Sequence, residues 1–65
     1  MPYYSAVWYV DGQANESFGD YNRGCVEAEI QDWIDHGARV KSIRRKVWPT
    51  VPDNDTWLNW LAYGD

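Results

Sequence analysis

The side chains best suited to recognition chemistry are basic residues gathered in one short run. Five of the six lysines and arginines lie within eight positions, namely Arg39, Lys41, Arg44, Arg45 and Lys46. The rest of the chain holds one arginine and ten acidic residues, so the net charge of −4 divides into +5 in the run and −9 elsewhere. Such a patch suits docking on an acidic protein groove or on phosphates. Cations also protect an exposed edge strand from aggregation, but this many favour a binding surface.

Four acidic residues form a second candidate surface. Glu27, Glu29, Asp32 and Asp35 fall on or near the exposed side of a predicted helix. They could imitate nucleic-acid phosphates or meet a basic partner. A charged, exposed helix face is also ordinary, and the same acids would steady the basic run beside them.

Neither metal binding nor catalysis has a convincing residue set. Glu29, Asp32 and His36 share helical spacing. His36 is the only histidine, however, and catalytic metal sites usually gather two or three nitrogen or sulfur ligands. Its place near a helix end is explained by the helix dipole, which favours a cation there. Cys25, the only cysteine, borders an apolar stripe and is predicted to be a buried structural thiol. We therefore predict a protein that is not an enzyme and has no cofactor and no metal.

Length and composition describe the domain that must hold these residues. The 65 residues predict one small domain (1–65), with a body over 3–48 and a proline-led, Trp-rich segment over 49–65. Five tryptophans, five tyrosines and one phenylalanine can build a dense core in so short a chain. Because tryptophan dominates binding hot spots, we expect one or two rings to stay exposed as anchors, with Trp48 and Trp60 as the candidates.

Nothing in the sequence indicates a membrane or an export route. The first residues lack a basic region followed by a long apolar run, and no apolar stretch approaches the ~20 residues that a membrane span needs. A lone cysteine is typical of a reducing compartment. We expect a cytoplasmic protein without a membrane partner.

The first two predicted elements are strands. Tyr3–Val10 is rich in aromatic and β-branched residues, and the dipeptide after it, Asp-Gly, supplies a turn. A short return strand is expected over 13–18. Val7 or Tyr9 is expected to face the helix that follows.

An amphipathic helix over 23–36 is the clearest element. Its apolar stripe follows a 3.6-residue period and consists of Val26, Ile30, Trp33 and Ile34. We predict that this stripe forms the core. Asp20 or Asn22 can cap the start of the helix, and Gly37 suits a left-handed residue after its end.

The basic run itself decides the fold. Val40, Ile43 and Val47 recur as they would on a helix face. Ile43, Arg45 and Val47 also alternate as in a strand, with Val40 brought into register by a bulge. The strand is favoured, because a basic, β-branched run after a helix and a glycine more often closes a sheet. On such a strand Arg44 points away from the helix and lies at the centre of the binding surface.

A short helix is predicted near the end of the chain, after two prolines. Asp53 or Asp55 can cap it and Gly64 can end it. It is too short to be stable alone and must dock on the body. The predicted fold class is α+β: a small antiparallel sheet of ββαβ type packed on one amphipathic helix, with a short C-terminal helix.

The order of these elements and the basic run carry a family resemblance. A strand ends near Asp11, a helix passes through Trp33, and the segment GARVKSIRR follows at 37–45. This arrangement, over roughly 3–47, resembles small bacteriophage proteins that inhibit host RNA polymerase. Those proteins have a compact sheet packed on one helix, and arginines on the strand after the helix contact the enzyme.

The resemblance implies a role and a set of contact residues. The role is a phage-encoded inhibitor or modulator of a host bacterial protein in the host cytoplasm, with RNA polymerase as the first partner. By position the resemblance points to Arg44 and Arg45, supported by Arg39 and Lys41. The Trp-rich segment over 49–65 departs from the pattern of that family.

A second resemblance involves the end of the chain. GARVKSIR at 37–44, followed by a proline and TWLNWL at 56–61, looks like the helix-turn-helix domain of phage small terminase subunits. It implies a DNA-binding protein of a phage or mobile element whose recognition helix is Asn54–Tyr63. That helix lacks the lysines and arginines that a major-groove reader uses. Residues 39–47 separate the alternatives, because a strand there supports the inhibitor and a helix supports the DNA binder.

Overall fold

The protein combines an antiparallel sheet with two helices. A computed structural model describes residues 1–64, and that part of the chain contains five elements. In chain order they are β1 (Tyr3–Val10), β2 (Glu16–Asp20), α1 (Arg23–Asp35), β3 (Val40–Trp48) and α2 (Asn54–Tyr63). The strands form one sheet in the order β2-β1-β3, so β1 is central. The predicted α+β class is confirmed.

The turn after β1 is longer than a two-residue hairpin. Gly12 takes a left-handed φ of 78°, and the Gln13 N–H donates to the Val10 carbonyl over 3.0 Å. The chain pairs with β1 again only from Glu16. The return strand predicted over 13–18 is therefore displaced to β2, because the polar residues that follow Gly12 complete the turn and do not join the sheet.

β3 confirms the strand interpretation of the basic run and contains the expected bulge. Val7 of β1 pairs with Arg44 and Tyr9 pairs with Lys41, so β3 advances three residues where β1 advances two. Ser42, within this step, has a φ of 56°, a left-handed value that is uncommon outside glycine. The extra residue changes the phase of the side-chain alternation along β3.

α1 begins and ends almost where the sequence predicts. The Gly24 N–H donates to Asn22 Oδ1 and the Asn22 N–H donates to Asp20 Oδ1, each over 2.8 Å, so both candidate residues stabilise the start. His36 is the C-cap residue, and Gly37 has a left-handed φ of 91°. The helix is one residue shorter than predicted.

One core lies between the sheet and α1. Its buried residues come from alternate positions of β1 and one stripe of α1: Ala6, Trp8, Val10, Val26 and Ile30. Trp33 is half-buried, and its ring meets the Trp8 ring edge-on with 6.4 Å between centroids. Val40 and Ile43 pack on the same core although they are three residues apart, because the bulge of β3 lies between them.

Two predictions for α1 are wrong. Ile34 is 44% exposed, and Cys25 is exposed as well. At about 100° per residue, Ile34 lies about 80° around the helix from Val26 and Cys25 lies about 100° away on the other side. The stripe that meets the sheet is narrower than the predicted one, so both side chains fall outside it.

A second core lies on the opposite face of the sheet, under α2. Val7 of β1, Trp48 of β3 and Trp60 of α2 are buried together, and the two indole rings meet edge-on with 5.9 Å between centroids. The prediction that Val7 or Tyr9 faces α1 is wrong. Alternation places Val7 on the face of α2, and Tyr9 is exposed. The central strand is therefore covered by a helix on each face.

α2 has the caps that the sequence predicts. Asp53 is the N-cap residue, and its Oδ1 accepts the Thr56 N–H over 2.7 Å. Gly64 ends the helix with a φ of 77°, and its N–H donates to the Trp60 carbonyl. Neither α1 nor α2 has the length and apolarity that spanning a membrane requires.

Candidate functional site

The basic run lies along β3, at one edge of the sheet. Its five cations form a surface that we call the basic edge: Arg39, Lys41, Arg44, Arg45 and Lys46. Arg39 precedes the strand and the other four belong to it. Alternation turns Arg45 towards α1, and turns Arg44 and Lys46 towards α2. The strand therefore carries cations on both faces of the sheet.

Arg44 is engaged by the C-terminal helix. Its guanidinium donates to the carbonyls of Trp60 and Leu61 over 3.3 and 3.1 Å and lies 5.3 Å from the centroid of the Trp60 ring. The Trp60 carbonyl also accepts the Gly64 N–H, so it is shared between two donors, and a cation is favoured at this end of a helix. The prediction that Arg44 points into an open surface is wrong, because α2 covers that face of the sheet.

Arg45 binds the acidic side of α1. Its Nε and one terminal nitrogen donate to the two carboxylate oxygens of Glu27 over 2.8 and 2.9 Å. These hydrogen bonds hold the pKa of Glu27 below its ordinary value and raise the pKa of Arg45. Both side chains are about half exposed, and exposed ion pairs contribute only about 0.2–1 kcal/mol. Arg45 can therefore exchange Glu27 for a partner carboxylate at little cost.

The other three cations differ in how they are held. Lys41 forms an exposed ion pair with Asp11. The Lys46 ammonium lies 4.9 Å from the centroid of the Trp48 ring, within cation–π range. Arg39 is exposed, and within residues 1–64 its guanidinium has no hydrogen-bond or ion-pair partner. Arg39, Lys41 and Arg45 are thus the cations of the basic edge that a partner reaches most easily.

Two hollows flank β3 at the level of Lys46, one on each face of the sheet. The α1-side hollow has a volume of about 320 Å³, and its walls include Tyr4 and Val47. The α2-side hollow has a volume of about 290 Å³, and its walls include Trp48 and Trp60. Lys46 borders both. Sequence reasoning missed these hollows, because their walls come from several elements. In the structure, Val47 marks the α1-side hollow, since this apolar residue is 55% exposed.

The acidic residues of α1 make contacts within the domain. Trp33 Nε1 donates to Glu29 over 3.3 Å, and Gln31 Nε2 donates to Asp35 over 2.9 Å. Glu27 is held by β3, as described above. Glu27 thus steadies the basic run, as one interpretation expects, whereas Glu29 and Asp35 contact side chains of α1 itself.

His36 lies at the C-terminal end of α1, where the helix dipole favours the protonated form of a histidine. Its Nδ1 is 2.7 Å from the backbone carbonyl oxygen of Asp32 and 3.4 Å from the carboxylate of the same residue. The pKa of His36 is raised, chiefly by the hydrogen bond to the Asp32 carbonyl and secondarily by the charge of the Asp32 carboxylate. Within residues 1–64, no group of three or more His, Cys, Asp or Glu side chains is placed to hold a metal ion.

The two rings expected to be exposed anchors are buried. Trp48 and Trp60 are only 8% and 4% exposed. Trp48 Nε1 donates to Ser5 Oγ over 2.8 Å in a buried hydrogen bond. The prediction that these rings are exposed is wrong, because both close the core beneath α2.

The helix-turn-helix interpretation does not fit this geometry. A strand occupies most of 39–47, where that interpretation requires a helix. α2 carries Asp55 in its first turn and has no lysine or arginine. Comparison with protein-family models, curated proteins and solved structures finds no match. The functional interpretation therefore depends on the geometry of the basic edge.

Proposed function

We propose that this chain is a non-catalytic binding domain that docks on an acidic surface of another protein through the basic edge. The observation that carries the proposal is the exposure of Arg39, just before an edge strand, and of Lys41 and Arg45 on that strand, in a domain whose net charge is −4. Cations in such a position accelerate encounter with an acidic partner and fix its orientation. Arginine also suits the role because its planar fork holds a carboxylate bidentately, as Arg45 already holds Glu27.

The sequence resemblance makes bacterial RNA polymerase the first partner to test. The proposed role is inhibition or modulation of that host enzyme by a phage-encoded protein, in the host cytoplasm. The resemblance points to Arg44 and Arg45 together. The contacts of Arg44 with α2 support Arg45, with Arg39 and Lys41, as the residues that meet the partner.

Affinity capture of purified bacterial RNA polymerase by the tagged protein tests the proposal. Arg45→Glu and the double variant Arg39→Glu/Lys41→Glu should each weaken capture by about tenfold or more, since like charges then face each other. Gln13→Glu/Ser17→Glu is the matched control, because it changes the net charge as much as one reversal does but lies outside β3. This control should capture like wild type. Wild-type capture should weaken as salt rises.

Each outcome has a defined meaning once circular dichroism shows that the variants are folded. Equal capture by wild type and the edge variants at low salt would make the basic edge irrelevant and the proposal wrong. If the polymerase is not captured at all, the same variants are compared on nuclease-treated bacterial lysate, which tests the edge without that partner. A mobility shift of duplex DNA that the edge variants abolish would assign the edge to nucleic acid instead.

A further inference from the structure

β3 has an open hydrogen-bonding edge at the centre of the basic edge. The sheet ends at this strand, so alternate residues direct their backbone N–H and C=O groups away from β1. Ser5 Oγ donates to the Lys46 carbonyl over 3.1 Å, which shows that the backbone of Lys46 faces β1. Its neighbours Arg45 and Val47 therefore present their backbone groups to the open edge.

The two hollows lie on opposite faces of this same stretch. A strand added beside β3 would project consecutive side chains to opposite faces, one towards the α1-side hollow and the next towards the α2-side hollow. Volumes of about 320 and 290 Å³ lie just above and just below the lower limit for ligand pockets, whose range is about 300–1,000 Å³. Each hollow therefore suits one large side chain better than a cofactor.

Charge selects which strand can add here. Among residues 1–64, the charged residues that border the two hollows are three cations, Arg23, Arg45 and Lys46, and one acid, Glu27. A second copy of β3 would bring cations against cations, which is unfavourable for directly opposed residues. An acidic segment meets complementary charges instead.

We infer that β3 receives an extended segment of an acidic protein partner as an additional strand of the sheet. Two neighbouring apolar side chains of that segment occupy the two hollows, and acidic residues on either side of them meet Arg23, Arg45 and Lys46. This inference rests on the proposed function and deepens it, because it specifies the form of the partner at the basic edge. Main-chain hydrogen bonds supply affinity in this mode, and the side-chain hollows supply specificity.

Synthetic peptides of about ten residues test the inference without knowledge of the partner. The first probe has Leu-Phe flanked by glutamates and carries a dye for fluorescence anisotropy. A second probe replaces Leu-Phe with Ser-Ser, and a third replaces the glutamates with lysines. We expect saturable binding of the first probe and binding about tenfold weaker or worse for the other two, since each loses one source of recognition.

Backbone pairing is tested with N-methylated versions of the first probe. Methyl groups on alternate residues remove the donors along one edge of the peptide and leave the other edge intact. An added strand uses only one of its edges, so methylation in one phase should abolish binding and methylation in the other phase should preserve it. Equal binding of the two methylated peptides would overturn the inference.

A matched pair of valine variants locates the contact. Val47→Glu places a carboxylate at the α1-side hollow and should weaken binding of the Leu-Phe probe about tenfold or more. Val51→Glu is the control, because Val51 is also exposed but lies beside Pro52 and Trp57, away from both hollows. Both variants should keep the wild-type melting temperature.

These measurements separate the inference from the proposed function. If no peptide binds, or if Val47→Glu and Val51→Glu bind the first probe equally, strand addition at β3 is wrong. Loss of polymerase capture in Arg45→Glu would still support the proposed function in that case. In the opposite case, the Leu-Phe probe binds as expected, but Arg45→Glu and Arg39→Glu/Lys41→Glu capture the polymerase as well as wild type does. That result supports strand addition and overturns the docking role.

Discussion

The guanidinium of Arg44 lies 5.3 Å from the centroid of the Trp60 ring and donates to the Trp60 carbonyl, so one cation of β3 holds both the ring and the backbone of α2. α2 has ten residues, a length at which an isolated helix is marginal in water. Its stability must come from docking on the sheet, and Arg44 contributes polar contacts to that docking.

Arg44→Met should therefore lower the free energy of unfolding by about 1–3 kcal/mol, because two charge-assisted hydrogen bonds and a cation–π contact are lost. Urea denaturation followed by tryptophan fluorescence measures the change. Arg39→Met is the control and should stay within about 0.5 kcal/mol of wild type. If the two variants were equally stable, Arg44 would have no structural role in holding α2.

The hydroxyl of Ser5 predicts a second stability effect. Ser5 is 2% exposed and accepts the buried N–H of Trp48, so Ser5→Ala leaves that donor without a partner. We expect a loss of about 1–3 kcal/mol. Ser17→Ala, at an exposed position of β2, should be nearly neutral in the same urea denaturation experiment. If Ser5→Ala left the free energy of unfolding unchanged, the indole N–H of Trp48 would have gained another acceptor.

Two isoleucines of α1 provide a matched test of the core. Ile30→Ala should cost about 2–5 kcal/mol, since Ile30 is buried against β1. Ile34→Ala removes the same atoms four residues later at an exposed position and should cost less than about 1 kcal/mol. Equal losses from the two variants would contradict the narrow apolar stripe described above.

The ion pair between Arg45 and Glu27 predicts a small pH dependence of stability. The pKa of Glu27 is lower in the folded protein than in the unfolded chain. The ion pair therefore stabilises the fold fully at pH values above the pKa of Glu27 in the unfolded chain. This stabilisation is lost as the pH falls through the pKa of Glu27 in the folded protein. Glu27→Gln should lower stability by less than about 1 kcal/mol at neutral pH, because the pair is half exposed. The difference from wild type should vanish in acid. A stability difference that persists at acidic pH would mean that Glu27→Gln acts through packing and not through the ion pair.

NMR titration of His36 tests the electrostatics at the end of α1. The pKa of His36 should lie above its ordinary value, chiefly because of the Asp32 backbone carbonyl and secondarily because of the Asp32 carboxylate. Asp32→Asn removes only the second cause, so it should lower the pKa of His36 without cancelling the whole elevation. Complete cancellation would mean that the carboxylate, and not the carbonyl, is the main cause.

Most secondary structure was predictable because its signals are local. β1 matches its predicted bounds, since a β-branched and aromatic run ends at a turn dipeptide. α1 was recognisable from Asn22 and Gly37, which act within one helical turn. The bulge of β3 was predictable too, because only an extra residue brings Val40 and Ile43 to the same face.

The assignment of faces was not predictable from periodicity. Residues 5–8 of β1 are all buried, because each face of the strand is covered by a helix, and a strand buried on both faces shows no alternation. The sequence therefore did not determine on which face of the sheet Val7 lies. The docking site of α2 is a long-range choice that no local pattern encodes, so the burial of Trp48 and Trp60, and the covering of Arg44, followed only from the structure.

The bulge at Ser42 also limits how far the sheet can grow. A bulge bends its strand and increases the local twist, so regular pairing geometry along the open edge extends only from Ile43 to Trp48. That length, six residues, is typical of one strand in a globular sheet. A segment that pairs along this edge must leave the sheet at the bend, and its continuation then passes Arg39 and Lys41 as a loop. The irregular residue thus fixes the maximum length of any strand that the domain can accept and makes repeated edge-to-edge stacking into fibres unfavourable.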